Sequence, residues 1–183
     1  MKQVHIHIGD IFASREPAEV ETVLGSCIAV CLFDPIAWVG GMNHFMLPKG
    51  LPDDPAPARF GEHAMNGLID EIRGLGGRTE RLQAKIFGAA SVLEMDPTWI
   101  CVPCANRKFA RTYLEAFHIP LIGERLGGNL PLRVRMFTHT GKVLVRALPR
   151  TYSWEITEPK LTLAERWRWF DKLAEPAGEA LSP

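Results

Sequence analysis

The sequence predicts an α+β protein built in layers, and three observations carry that expectation. Period-2 alternation recurs along the chain: Val4, Ile6 and Ile8 flank His5 and His7, and Leu132, Val134 and Met136 flank Arg133 and Arg135. Elsewhere the apolar spacing turns helical, through Met65, Leu68, Ile69, Ile72 and Leu75 and again through Phe109, Ala110, Tyr113, Leu114 and Phe117. The order of strands and helices is mixed rather than a regular alternation, which argues against a doubly wound parallel sheet.

Taken in order, the first strand runs from Val4 to Ile8, and 10–17 reads as a loop. Val20 to Leu24 is a second strand, ended by Gly25-Ser26. Cys27 to Phe33 is a short apolar run, read as a buried strand. Asp34-Pro35 is a turn signal, with Pro where it favours a type I turn, and Trp38 to Leu47 resumes as a strand across Gly40-Gly41. The segment 48–57 is rich in proline and reads as a loop. A helix follows from Glu62 and stops at Gly76-Gly77. Leu82, Ala84 and Ile86 form a strand ending at Gly88, and Asn106 is the expected cap of the second helix. Short strands at 119–122, 132–136 and 142–148 complete the pattern, the last two as a hairpin about Gly141. Pro149 closes it. The predicted organisation is one domain over 1–149 and an extension over 150–183 that carries Trp154, Trp167, Trp169 and a short helix near 161–173.

Composition excludes several classes. The 183 residues hold 21 basic and 21 acidic side chains, so bulk charge attracts neither nucleic acid nor an anionic membrane. The longest apolar run, Cys27 to Phe33, is far short of the roughly 20 residues that span a bilayer, so no membrane insertion is expected. His5, His7 and Asp10 interrupt any signal-peptide core. The expectation is a cytoplasmic protein whose four cysteines are reduced.

The sharpest local feature is Gly25-Ser26-Cys27, a thiol directly after a turn where the backbone bends. A nucleophile beside converging amides has that form, although free cysteine is also among the most buried residue types. If 27–33 and 38–47 form a hairpin about residues 34–37, paired positions sum to 71 and Cys27 faces His44. An imidazole beside a thiol favours the thiolate, and the pair suits hydrolysis of an amide or ester. Cys101-Val102-Pro103-Cys104 has zinc-like spacing. However, Cys27 and Cys31, four residues apart on a strand, are separated by roughly 13 Å and cannot complete one site. No metal and no cofactor are therefore expected. The chain contains no Gly-x-x-x-x-Gly-Lys phosphate loop.

Several ordered motifs resemble one family. Leu24-Gly25-Ser26-Cys27-Ile28-Ala29-Val30-Cys31-Leu32-Phe33-Asp34-Pro35 and Gly40-Gly41-Met42-Asn43-His44-Phe45-Met46-Leu47-Pro48 are similar to the chemoreceptor glutamine deamidase family, CheD. Lys85-Ile86-Phe87-Gly88-Ala89-Ala90 resembles its Lys-x-Phe-Gly-Gly-Ala segment. Asn106-Arg107-x-Phe109, Ile119-Pro120, Gly127-Gly128-Asn129 and Gly141-Lys142-Val143-Leu144-Val145 also match, so the likeness spans about Val4 to Leu148.

The resemblance implies an α+β layered sandwich of mixed β-sheets with helices packed outside, similar to toxin-type cysteine deamidase domains. It implies conversion of chosen glutamines on methyl-accepting chemotaxis receptors to glutamate through a Cys-His thioester mechanism, with Cys27 as nucleophile and His44 as base. The family's third member is a threonine six positions before the cysteine. Glu21 stands there in this chain and Thr22 follows it, so Thr22 is the candidate and Glu21 the departure. Cys101, Cys104 and the extension after Arg150 also depart from the family pattern. Expected partners are the cytoplasmic region of chemoreceptors and a CheC-type response-regulator phosphatase. The alternative is a non-catalytic adaptor that binds the same partners.

Overall fold

The structure is a computed structural model that describes residues 1–50, 55–91 and 101–149. The predicted extension over 150–183, with its helix near 161–173, lies outside the described residues. The strands are β1 (Lys2–His5), β2 (Ile11–Ser14), β3 (Ala18–Leu24), β4 (Ile28–Asp34), β5 (Val39–Phe45), β6 (Gln83–Gly88), β7 (Leu121–Leu126), β8 (Leu132–Phe137) and β9 (Val143–Ala147). Two longer helices are described, α1 (Gly61–Gly74) and α2 (Val102–Ala116).

The strands form two mixed sheets. One runs β1-β3-β8-β9 and the other β2-β5-β4-β6-β7. The β1–β3 and β6–β7 pairs are parallel, and the other neighbours are antiparallel. Alternation along β4 shows the layering. Ile28, Val30 and Leu32 join Met65, Leu68, Ile72, Ala110 and Leu114 in a core between the second sheet and the helices. Ala29 and Cys31 join Val20, Leu24, Leu132, Val134 and Met136 in a core between the two sheets. Because β4 is covered on both faces it reads as a continuous apolar run rather than as an alternating one. The architecture is therefore three layers, helices on sheet on sheet, and the expected α+β sandwich is the observed fold.

Three expectations change. The predicted loop over 10–17 contains β2, which extends the second sheet by pairing with β5 from Ile11↔Asn43 to Ser14↔Gly40. Its residues are half-buried on both faces, so it lacks the clean alternation that marks a strand in sequence. Helix α2 starts earlier than Asn106. Cys101 is its cap and accepts from the Cys104 amide, while Asn106 lies inside the helix and is fully buried.

The third change is the β4–β5 register. Asp34 pairs with Val39 and Ala29 with His44, so paired positions sum to 73 rather than 71. The loop holds four residues, Pro35 to Trp38, closed by Trp38 at φ 54°. Asp34, fully buried, organises it by accepting from the amides of Ile36 and Ala37 at 2.9 and 3.0 Å. Gly40-Gly41 makes no bulge. These residues lack side chains because a Cβ at Gly40 would lie 2.5 Å from the Thr138 carbonyl, and one at Gly41 2.6 Å from that of Phe12.

Candidate active site

A register slip of two residues moves a partner along the strand but keeps it on the same face. His44 thus stands opposite Ala29, on the face that Ala29 shares with Cys31 and Cys27. Cys27 lies one residue before β4. Relative to the predicted direct opposition, Cys27 and His44 are diagonal neighbours, a spacing of roughly 7–8 Å between backbones that long side chains bridge. Both are buried in the layer between the sheets.

Thr22 arrives from the opposite sheet. In β3 the residues Val20, Thr22 and Leu24 point inward, and Thr22 Oγ1 lies 2.9 Å from His44 Nδ1. The same hydroxyl donates to the Ile6 carbonyl at 2.8 Å. A hydroxyl has one proton, and here it goes to Ile6. Toward His44 it can only accept, so Nδ1 carries the ring proton and Nε2 presents a lone pair. His44 Nε2 is buried and has no hydrogen-bond partner among the described residues. Burial, reinforced by nearby His7, lowers the His44 pKa to about 3, so the ring is neutral at physiological pH. A neutral imidazole with a fixed tautomer and an unengaged Nε2 is the form a general base needs.

Glu21, the residue in the family's threonine position, points the other way. It sits on the outer face of the first sheet with Arg135 at 2.8 Å and His5 at 3.7 Å. Arg135 also pairs with Glu19 at 2.9 Å, so this face is an ion-pair lattice rather than part of the site. Alternation already separates the two candidates: Val20 and Leu24 are apolar and Glu19 is not, which puts Thr22 on the core side.

The loop before Cys27 is tied to the end of β6. The Ala90 amide donates to the Gly25 carbonyl at 2.8 Å, and the Ala89 amide to that of Cys27 at 2.7 Å. Gly88, at φ +112°, lets these chains touch, since a Cβ there would sit 2.2 Å from the Cys27 carbonyl oxygen. In the sequence this segment shows as a strand ending at Gly88 and as a family-like motif, and neither signals the contact with the Cys27 turn.

The remaining cysteines separate by chemistry. Cys31 is buried, and burial, opposed only weakly by Lys85, pushes its thiol up to about 12. It is a core residue. Cys101 and Cys104 are joined as a disulfide, which corrects the expectation of reduced thiols. Their Cα atoms are 5.1 Å apart across the first turn of α2, within the span a disulfide bridges. No cluster of metal-ligating side chains occurs among the described residues, and no described helix is long and apolar enough to cross a membrane.

Comparison with known proteins gives a consistent result. The family model described as CheD chemotactic sensory transduction matches residues 46–147. A "Probable chemoreceptor glutamine deamidase CheD" of Stenotrophomonas maltophilia is 43% identical over 145 residues, which cover 79% of this chain and 73% of that protein. Its namesake in Xanthomonas euvesicatoria is 44% identical over the same shares of the two chains. A "Probable chemoreceptor glutamine deamidase CheD 1" of Burkholderia thailandensis is 41% identical over 174 residues, covering 93% of this chain and 71% of that one. Among solved structures, the Bacillus licheniformis hypothetical protein YfiH matches with a TM-score of 0.44 at 14% identity, covering 63% of this chain and 50% of its own.

Proposed function

The chain belongs to the CheD family, and from that membership we infer that it is a chemoreceptor glutamine deamidase with Cys27 as nucleophile, His44 as general base and Thr22 as the residue that orients the base. The observation that carries the assignment is the Thr22–His44 hydrogen bond, 2.9 Å long, formed on the face that holds Cys27. It leaves Nε2 as the proton acceptor.

The chemistry follows in two halves. His44 Nε2 takes the Cys27 thiol proton as the sulfur attacks the carboxamide carbon of glutamine. The carbonyl π pair moves to oxygen, giving a tetrahedral intermediate. Its collapse breaks the C–N bond, and the proton on Nε2 passes to the departing nitrogen, which leaves as ammonia. A thioester remains. Nε2 then deprotonates a water that attacks the thioester carbon, the C–S bond breaks, and the thiol is restored as glutamate is released. Each turnover exchanges a neutral side chain for a carboxylate. Along a helical receptor such charges repel neighbours of like sign.

The test is incubation with the cytoplasmic domains of chemoreceptors, reading ammonia release and the amide-to-acid mass change at single glutamines. Conversion by the wild type but not by Cys27→Ala is expected. Equal behaviour of the two proteins would refute the mechanism and leave the adaptor reading. We assign the chemistry to residues 1–149 and treat 150–183 as an extension. The reading entails a cytoplasmic protein. A CheC-type response-regulator phosphatase as second partner rests on the family resemblance, and a pull-down with Cys27→Ala as bait tests it without turnover.

A further inference from the structure

Beyond the last β4–β5 rung, Ile28↔Phe45, the ladder stops where the nucleophile and base segments lie side by side. Asn106 takes over at that point. It lies in the second turn of α2 with no exposed surface. Its Nδ2 donates to the Ser26 carbonyl at 3.1 Å and to the Met46 carbonyl at 2.8 Å. Ser26 immediately precedes Cys27, and Met46 follows His44 by two residues. One amide nitrogen, with two protons and two acceptors, therefore links the chain entering β4 to the chain leaving β5.

The same contact completes the restraint on the turn. The carbonyls of Gly25 and Cys27 are held by the amides of Ala90 and Ala89. Asn106 holds the carbonyl between them, so three consecutive peptide units before and at the nucleophile are fixed. Its Oδ1 is buried with no hydrogen-bond partner among the described residues.

We propose that Asn106 is a positioning residue that sets the Cys27–His44 relationship by bracing the Ser26 and Met46 carbonyls against each other. This rests on the reading of Cys27 and His44 as nucleophile and base. Asn106 touches neither the substrate nor the reacting atoms. It acts through the two backbones.

The experiment compares wild type, Asn106→Asp, Asn106→Ser and Cys27→Ala. Asn106→Asp keeps the shape and removes both donors; Asn106→Ser keeps one and is the variant of choice if the first does not fold. Per folded molecule, kcat falls between ten- and a hundredfold, the scale of small displacements of reacting groups, while KM for the receptor domain stays unchanged. Asn106→Ser loses less than Asn106→Asp. In parallel, the rate of Cys27 alkylation by iodoacetamide is followed against pH by peptide mass spectrometry, and its midpoint shifts in both Asn106 variants. Wild-type kcat and an unshifted alkylation profile, with only the melting temperature lowered, would overturn the proposal and leave Asn106 a residue that stabilises the fold alone. If the wild type shows no Cys27-dependent ammonia release, the functional reading fails, and the alkylation profiles alone then decide for or against the brace.

Discussion

Thr22 on β3 and His44 on β5 meet across the layer between two sheets, hydroxyl oxygen to Nδ1 at 2.9 Å. The two strands are not neighbours in either sheet. If His44 is the base proposed above, their contact makes the packing of one sheet on the other a condition for its orientation, and sheet packing is linked to reactivity through a single hydrogen bond.

Substituting Thr22 tests that link. Thr22→Val keeps the shape but leaves the buried Nδ1 proton without an acceptor, a loss of about 1–3 kcal/mol. If the loss is felt in the transition state, kcat falls roughly five- to 150-fold. Thr22→Ser retains the acceptor and keeps most of the activity. Steady-state deamidation with melting temperatures on the same samples separates the chemical effect from the structural one.

The two cysteines outside the disulfide have opposite fates. Cys27→Ala removes the nucleophile and abolishes ammonia release. Cys31→Ala leaves turnover intact and costs about 1 kcal/mol of stability, the scale of one small apolar group lost from a core. Cys31 is in the same core layer four residues further on, but burial holds its thiol protonated, with a pKa near 12. Loss of turnover in Cys31→Ala with unchanged melting would reverse the assignment.

His44 makes the fold acid-sensitive in a defined window. In the unfolded chain its imidazole protonates near pH 6.5, whereas burial in the folded state holds the pKa at about 3. The contribution of a neutral His44 is complete above about pH 6.5 and is lost as pH falls toward 3, because only the unfolded chain takes up the proton. Urea unfolding at a series of pH values in this range shows declining stability for wild type and a shallower decline for His44→Gln. Parallel curves would contradict the assigned shift.

Asp34 is held the same way by other means. Burial alone would raise its pKa, but the Ala37 amide, the Arg81 guanidinium at 2.7 Å and the amides of Arg78 and Ile36 together bring it to about 2. Its stabilisation is present above pH 3.8 and lost as pH falls toward 2. Asp34→Ala leaves the Arg81 charge and three amides without their acceptor and destabilises by about 3–5 kcal/mol, the cost of breaking a buried pair. Thermal unfolding at neutral pH measures it. A drop under 1 kcal/mol would show that the β4–β5 loop does not depend on this carboxylate.

Gly88, opposite Ile28 on the neighbouring strand β6, holds the loop of the proposed nucleophile. Gly88→Ala puts a methyl group against the Cys27 carbonyl and strains a positive-φ residue, at about 1–3 kcal/mol. Its larger effect falls on turnover, because the displaced atom belongs to the nucleophile's own peptide. A variant with wild-type kcat and lowered stability would place the strain elsewhere.

Much of the candidate site is legible in the sequence. Gly25-Ser26-Cys27 marked a thiol after a bend, and the turn at Asp34-Pro35 brought His44 toward it. The register error of two residues did no harm, since the period of a strand is two and the face was preserved. Strand β2 was missed because both its faces are half-buried and its alternation is blurred. Asn106 was misread as a cap because asparagine is a favoured N-cap type; the Cys101 side chain does that work here.

By itself the sequence determined the classes of element, the reactive residue types and, through the Val20-Thr22-Leu24 alternation, which side of β3 each candidate faces. These are consequences of local periodicity, which any short window carries. Only the tertiary structure decided that Thr22 meets His44 rather than some other inward residue, that the amides after Gly88 grip the Cys27 turn, and that Cys101 and Cys104 bond to each other. The first two contacts join segments far apart in sequence, one across the layer between the sheets and one between neighbouring strands of a single sheet, and no local pattern registers either. They follow from how the sheets and helices bury their apolar faces together, which is a property of the whole chain. The third closes within one helical turn, where the sequence reading expected reduced thiols.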